Sequence, residues 1–125
     1  MIYPASDLRD LSFLIDSIKT AVFSVSTQYK FLKINKVVKE ELALMEEQEL
    51  LLIAAYGEKK EDGNFITTED GGIKIADDKV DECAAKMKEI VSRQIQFPDI
   101  YFSIEELEEL KFNLGELALL EPFIK

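Results

Sequence analysis

No glycine or proline interrupts the chain between Ala5 and Gly57. Glycine and proline are the residues that most readily break a helix, so their absence commits most of this stretch to helix. Spacing of the apolar residues then divides it. Over residues 7–19, Leu8, Leu11, Leu14, Ile15 and Ile18 recur every three or four positions, which is one apolar helical face. Ser6 or Asp7 is the expected cap, and Asp7 and Asp10 suit the N-terminal end of the dipole. Residues 20–28, TAVFSVSTQ, are rich in β-branched side chains and serine. Two readings remain open there. Either a connector intervenes, with Ser24 or Ser26 capping the next helix, or one long helix continues. The second reading rests on Leu11, Ile15, Ile18, Val22, Val25 and Tyr29, which keep a 4-3-4-3-4 spacing. Propensity favours the break.

A long helix is expected over residues 26–57, with Gly57 as the C′ residue after its last turn. At about 100° per residue, Phe31, Ile34, Val38, Leu42, Met45, Leu52 and Tyr56 share one side. Its last stretch, LLLIAAY, is apolar nearly all round. It is expected to be surrounded by a hairpin and the C-terminal segment, or to meet another subunit. Charge runs the wrong way along this helix. Lys30, Lys33, Lys36 and Lys39 come first and Glu40, Glu41, Glu46, Glu47 and Glu49 follow, against the dipole preference. The lysines wind round the helix as a spiral. They form either a solvated face with pairs such as Lys36 to Glu40, or a docking strip for phosphate or an acidic segment. Glu105, Glu106, Glu108, Glu109, Glu116 and Glu121 offer such a segment within the chain.

Residues 56–78, YGEKKEDGNFITTEDGGIKIADD, look most like a site. An EF-hand loop begun at Asp62 or Asp70 lacks the required glycine at position 6 and glutamate at position 12. A phosphate-binding loop fails as well, because no glycine opens the G-x-x-x-x-G-K-[ST] run. A hairpin fits: residues 64–68 and 73–75 as strands, joined by the 69–72 turn, EDGG, with Asp62-Gly63 making an earlier turn. A third helix follows at 77–93, capped by Asp77 or Asp78, with Val80, Cys83, Ala84, Met87, Ile90 and Val91 as its buried face. Ile95 and Phe97 then alternate with Gln94 and Gln96, a strand pattern ended by Pro98, and Ile100 and Phe102 suggest another extended piece. Two capping boxes close the chain. Ser103 with Glu106 and Asn113 with Glu116 each begin a short helix, with Leu107, Leu110, Leu114, Leu117, Leu120 and Phe123 inward.

The expected fold is therefore a single domain, 1–125, of mainly helical α+β class. It comprises a helical hairpin with one long helix, a small β-hairpin with short strands, and a C-terminal pair of short helices. Function is bounded by exclusion. The chain has no histidine and one cysteine, Cys83, which removes Ser-His and Cys-His nucleophile arrangements, an internal disulfide and a single-chain zinc site. Cys83 reads as a small core hydrophobe. No cofactor, metal or catalytic residue is expected. A net charge of −10 disfavours nucleic acid and anionic membrane as partners. No run is long enough to span a bilayer and no secretory signal is visible, the pattern of a cytosolic protein.

Five stretches together resemble a family of small proteins of unknown function encoded by phages and prophages of low-GC Gram-positive bacteria. They are YKFLKINKVVKEEL (29–42), YGEKKEDGN (56–64), DGGIKI (70–75), IQFPDIYFSIEELEEL (95–110) and LGELALLEPFI (114–124). The resemblance spans roughly residues 29–124. It implies a phage-encoded protein of the structural or tail region, placed in the host cytoplasm or on the virion, and it transfers no catalytic or ligand residue. The expected function is non-enzymatic, through contacts with a phage structural or host protein or a second copy. The alternative is an acidic inhibitor that mimics nucleic acid against a host nuclease or defence protein.

Overall fold

The computed structural model describes residues 1–125 and is mainly helical, of α+β class. Its elements are β1 Ile2–Pro4, α1 Leu8–Ile18, α2 Val25–Tyr56, α3 Val80–Val91, β2 Gln94–Gln96, α4 Ile104–Glu108 and α5 Leu114–Leu120. Contacts gather into two compact units, Met1–Ala43 with Arg93–Lys125, and Leu44–Ser92.

In the first unit, β2 forms where alternation predicts it, with Ile95 buried between two exposed glutamines. Its antiparallel partner β1 was not expected. With three residues, one of them Pro4, it carries too little pattern to read, and proline is tolerated because a two-stranded sheet has only edges. Tyr3 sits opposite Ile95 and anchors the core. Its ring stacks on Phe123 at 5.4 Å and meets the edge of Phe97 at 5.6 Å, while its hydroxyl donates to the Leu119 carbonyl at 2.8 Å. Burial, with Asp7 and Asp10 nearby, pushes that phenol well above its ordinary value.

Leu8, Leu11, Leu14 and Ile15 of α1 are buried as their spacing predicts. The expected cap is absent. Neither Ser6 nor Asp7 caps α1; a 3-10 turn, Ala5–Asp7, leads into it instead, and the Ala5 N–H donates to the Arg93 carbonyl. The two helices are separated at residues 19–24, so the break forms and the single long helix does not. Ser24 caps α2, its Oγ accepting from the Thr27 N–H at 3.3 Å. Phe31, Ile34 and Val38 then bury one face, with Phe31 packed on Phe102 at 4.5 Å. Both C-terminal capping boxes form as read. Leu107, Leu120 and Phe123 are buried, but Leu114 is 85% exposed. A leucine at the first position of a two-turn helix projects before the buried face begins.

The second unit holds the surprise. The hairpin turn at 69–72 forms, but its strands are two arms of a three-armed ring. Arms at 57–60, 64–68 and 72–76 are joined by the bridges Gly57 to Ile75, Lys59 to Phe65 and Thr67 to Ile73. The Glu58 N–H donates to the Lys74 carbonyl, the Lys74 N–H to Ile66, and the Ile66 N–H back to Glu58, each at 2.8 Å. These three residues lie eight apart. So do the turns, in which the N–H groups of Gly63, Gly71 and Lys79 donate to the carbonyls of Lys60, Thr68 and Ala76. Each arm pairs with both others, so the ring leaves no long open edge. Gly63 and Gly71 take the positive φ that these turns require, 88° and 86°.

Gly57 serves a different end from the one expected. It is not a left-handed C′ residue; a Cβ there would lie 2.6 Å from the Ile53 carbonyl oxygen and 2.8 Å from the Phe65 ring. Closeness, not backbone sign, requires glycine. The helix expected at 77–93 begins with a 3-10 turn, Asp77–Lys79, without a side-chain cap from either aspartate. Of its apolar face only Cys83 is buried; Val80 and Ala84 are exposed. Leu50 and Leu51 are each 65% exposed, so the LLLIAAY stretch is not wrapped on all sides.

Candidate interaction surface

The helical reversal that closes the first unit leaves an apolar groove. Ile15 and Ile18 from α1, Phe23 from the connector, and Val25, Tyr29 and Leu32 from α2 line a depression of about 380 Å³. It exists because helices of different phase meet at a bend. The inward face of α2 runs through Thr27, Phe31, Ile34 and Val38, while Val25, Tyr29 and Leu32, on the α1 heptad line, stay outward. Val22 and Val25 are 94% and 82% exposed, and Phe13 of α1 is exposed as well. Asn35 also lines the groove, and its Oδ1 is buried without a hydrogen-bond partner. A buried orphan acceptor costs stability unless a donor arrives. The groove is mainly apolar, with Asn35 among its lining residues. A second, smaller depression of about 240 Å³ lies between α4 and α5, lined by Ile104, Leu107, Phe112 and Leu117.

Three of the four candidate docking lysines have side-chain contacts here. Lys30 Nζ lies 2.8 and 2.9 Å from the two Glu106 oxygens. Glu106 also accepts from the Ser103 N–H at 3.0 Å and from Thr27 Oγ1 at 3.1 Å. Those donors, Lys30 foremost, hold its carboxyl down at about 2. Lys39 donates to Ser12 Oγ at 2.7 Å and pairs with Asp16 at 3.1 Å. Lys33 sits over the Tyr29 ring, 4.6 Å from its centroid, and Lys36 is exposed. Two of the bases at the wrong end of α2 thus meet acids from α4 and α1. Tertiary pairing offsets the reversed charge order.

In the second unit the acid pairs Glu61–Asp62, Glu69–Asp70 and Asp77–Asp78 each occupy a turn of the ring. Asp62 accepts from the Asn64 N–H at 3.0 Å, and Asp70 accepts from Thr68 Oγ1 and the Gly72 N–H. The Thr68 bond in particular lowers the Asp70 carboxyl. These acids hold turns, and no three His, Cys, Asp or Glu side chains converge as a metal site. Lys74 pairs with Glu58 at 3.1 Å, which raises the lysine above its ordinary value.

The groove itself escaped sequence reading, although its signal was the heptad spacing that the break left unused. No family model, curated protein or solved structure matches the chain. Fold and surface define a class: a small, mainly helical α+β protein presenting an apolar groove beside a helical reversal. No helix is long and apolar enough to cross a membrane.

Proposed function

We propose that the chain is a non-enzymatic phage or prophage protein that works through protein–protein contacts, in virion or tail assembly. The phage context rests on the resemblance over residues 29–124. The mode of action rests on one observation, the apolar groove at the reversal of α1 and α2. Exposed apolar patches rimmed by polar residues mark interaction sites on soluble proteins. A protein segment bringing apolar side chains fits that groove.

Wild type and a Tyr29→Asp/Leu32→Asp variant, presented to purified virion proteins, test the reading. Wild type is expected to self-associate or to retain a phage structural protein, and the variant to lose most of that binding. A strictly monomeric wild type that binds no virion component overturns it. The acidic-mimic alternative draws on the net charge of −10. Tight, salt-sensitive inhibition of a basic host nuclease, unaffected by the two groove substitutions, would decide for it.

A further inference from the structure

We infer that the groove's partner is an acidic amphipathic segment of another protein. Its apolar side chains enter the groove while its carboxylates meet Lys19, Lys33 and Lys36. This deepens the reading of the groove as an interaction surface and rests on it. Between Asp16 and Glu40 lie five lysines and not one acid, in a chain whose net charge is −10. The groove is built almost wholly from this run, and no acid lines it. Asp16, the nearest acid in sequence, is occupied by Lys39 at 3.1 Å.

Three of the five lysines stand at the groove. Lys19 lines it from the C-terminal end of α1. Val25, Tyr29, Leu32 and Lys36 fall within about 60° of one another round α2, so Lys36 continues the apolar line by one turn. Lys33 lies over the Tyr29 ring, 4.6 Å from its centroid, which places its ammonium on the groove wall. Lys19 and Lys36 are exposed and meet no acid. The ion pairs nearby use other lysines, Lys30 with Glu106 and Lys39 with Asp16, and the Lys36 to Glu40 pair that helical spacing allows does not form. The surface is thus apolar at its floor and cationic at its rim, and its complement is an apolar stripe flanked by acids. Spread over two helices, the lysines are met by several carboxylates on one segment rather than by a single anion. An amphipathic helix laid in a groove supplies that pattern. A flat bilayer surface reaches the rim and leaves the depression unfilled. Net charge sharpens the contrast. A chain of net −10 attracts basic peptides and repels acidic ones at long range, so a preference for an acidic one requires a local basic surface.

The test follows fluorescence anisotropy of two labelled amphipathic helical peptides that share one leucine stripe, glutamate-rich in one and lysine-rich in the other. Wild type is expected to bind the glutamate peptide about tenfold or more tighter than the lysine peptide, with affinity falling as salt rises. Lys19→Glu/Lys36→Glu is expected to reverse that order, and Tyr29→Asp/Leu32→Asp to lose the glutamate peptide. Equal binding, preference for the lysine peptide, or binding of neither overturns the acidic partner. So does a glutamate preference that survives the lysine reversal. Retention of a virion protein by wild type but not by Tyr29→Asp/Leu32→Asp then judges the groove separately. Co-sedimentation of wild type with phosphatidylglycerol vesicles, lost in the lysine variant, assigns the rim to a membrane surface and overturns the segment as well. Should the reversal fail to fold, the neutral Lys19→Gln/Lys36→Gln variant decides in its place, and is expected to erase the glutamate preference.

Discussion

Glu106 shows how one residue can serve two elements. Its carboxylate completes the capping box of α4 and receives Lys30 and Thr27 from α2. Glu106→Gln keeps a residue competent for the box but removes the charge that Lys30 meets. It should lower unfolding stability by about 1–3 kcal/mol near neutral pH, measured by urea denaturation. The pH dependence has a definite sign. The folded carboxyl titrates at about 2, below its ordinary 4.5. As pH falls from about 4.5 toward 2 the unfolded chain takes up a proton that the folded chain refuses, and this contribution drains away. The wild-type advantage over Glu106→Gln should therefore shrink across that window and be flat above pH 6. Gly57 is the second test at this scale. Gly57→Ala drives a Cβ against the Ile53 carbonyl and the Phe65 ring, and a loss of about 1–3 kcal/mol is expected in thermal or urea unfolding.

Among the elements, the capping boxes were legible because their bonds join residues three apart, and both formed. They are not equal in weight. The Ser103 box is half-buried and shares Glu106 with Lys30, whereas the Asn113 box lies exposed. Ser103→Ala should fall near the top, and Asn113→Ala near the bottom, of the ~0.5–2 kcal/mol range for lost caps. Matched denaturation curves would rank them. The ring at 57–79 was legible only in part. Its turns were readable from Asp-Gly, since positive φ is a local demand. Its period of eight also stood in the sequence, in the acid pairs at 61–62, 69–70 and 77–78. Three arms pairing in a cycle, however, involve bonds between residues eight and sixteen apart, which neither helical nor strand periodicity reports. β1 was missed for a similar reason: its partner lies more than ninety residues away.

For the whole molecule, the distribution of core decides behaviour. Of the buried apolar residues, only Met45 and Cys83 fall within Leu44–Ser92; the rest belong to the other unit. Few buried contacts mean a low local opening free energy. Native-state hydrogen exchange should find the amides of 57–79 exchanging well before those of Phe31, Ile34 and Val38, with early proteolysis at the exposed turns near 62 and 70. Comparable protection in both units would refute this. A net charge of −10 also opposes bringing two copies together, so self-association through the groove should strengthen between low salt and about 0.15 M.

The amino-acid order alone sufficed for what acts over three or four residues. Helix existence followed from the missing breakers, the α1 face from leucine spacing, and the break near residue 20 from β-branched propensity. The two C-terminal capping boxes and the Asp-Gly turns belong with them, whereas the caps expected from Ser6 or Asp7 and from Asp77 or Asp78 did not form. The absence of histidine narrowed the chemistry without any structure. Tertiary structure decided which of the candidate faces were buried. It took Leu11 and Ile15 inward and left Val25, Tyr29 and Leu32 out, although one heptad runs through all five. The physical reason is that burial depends on what packs opposite. A stripe records a preference for company, and only the closed chain, with α1 reversed on α2, settles which members find it.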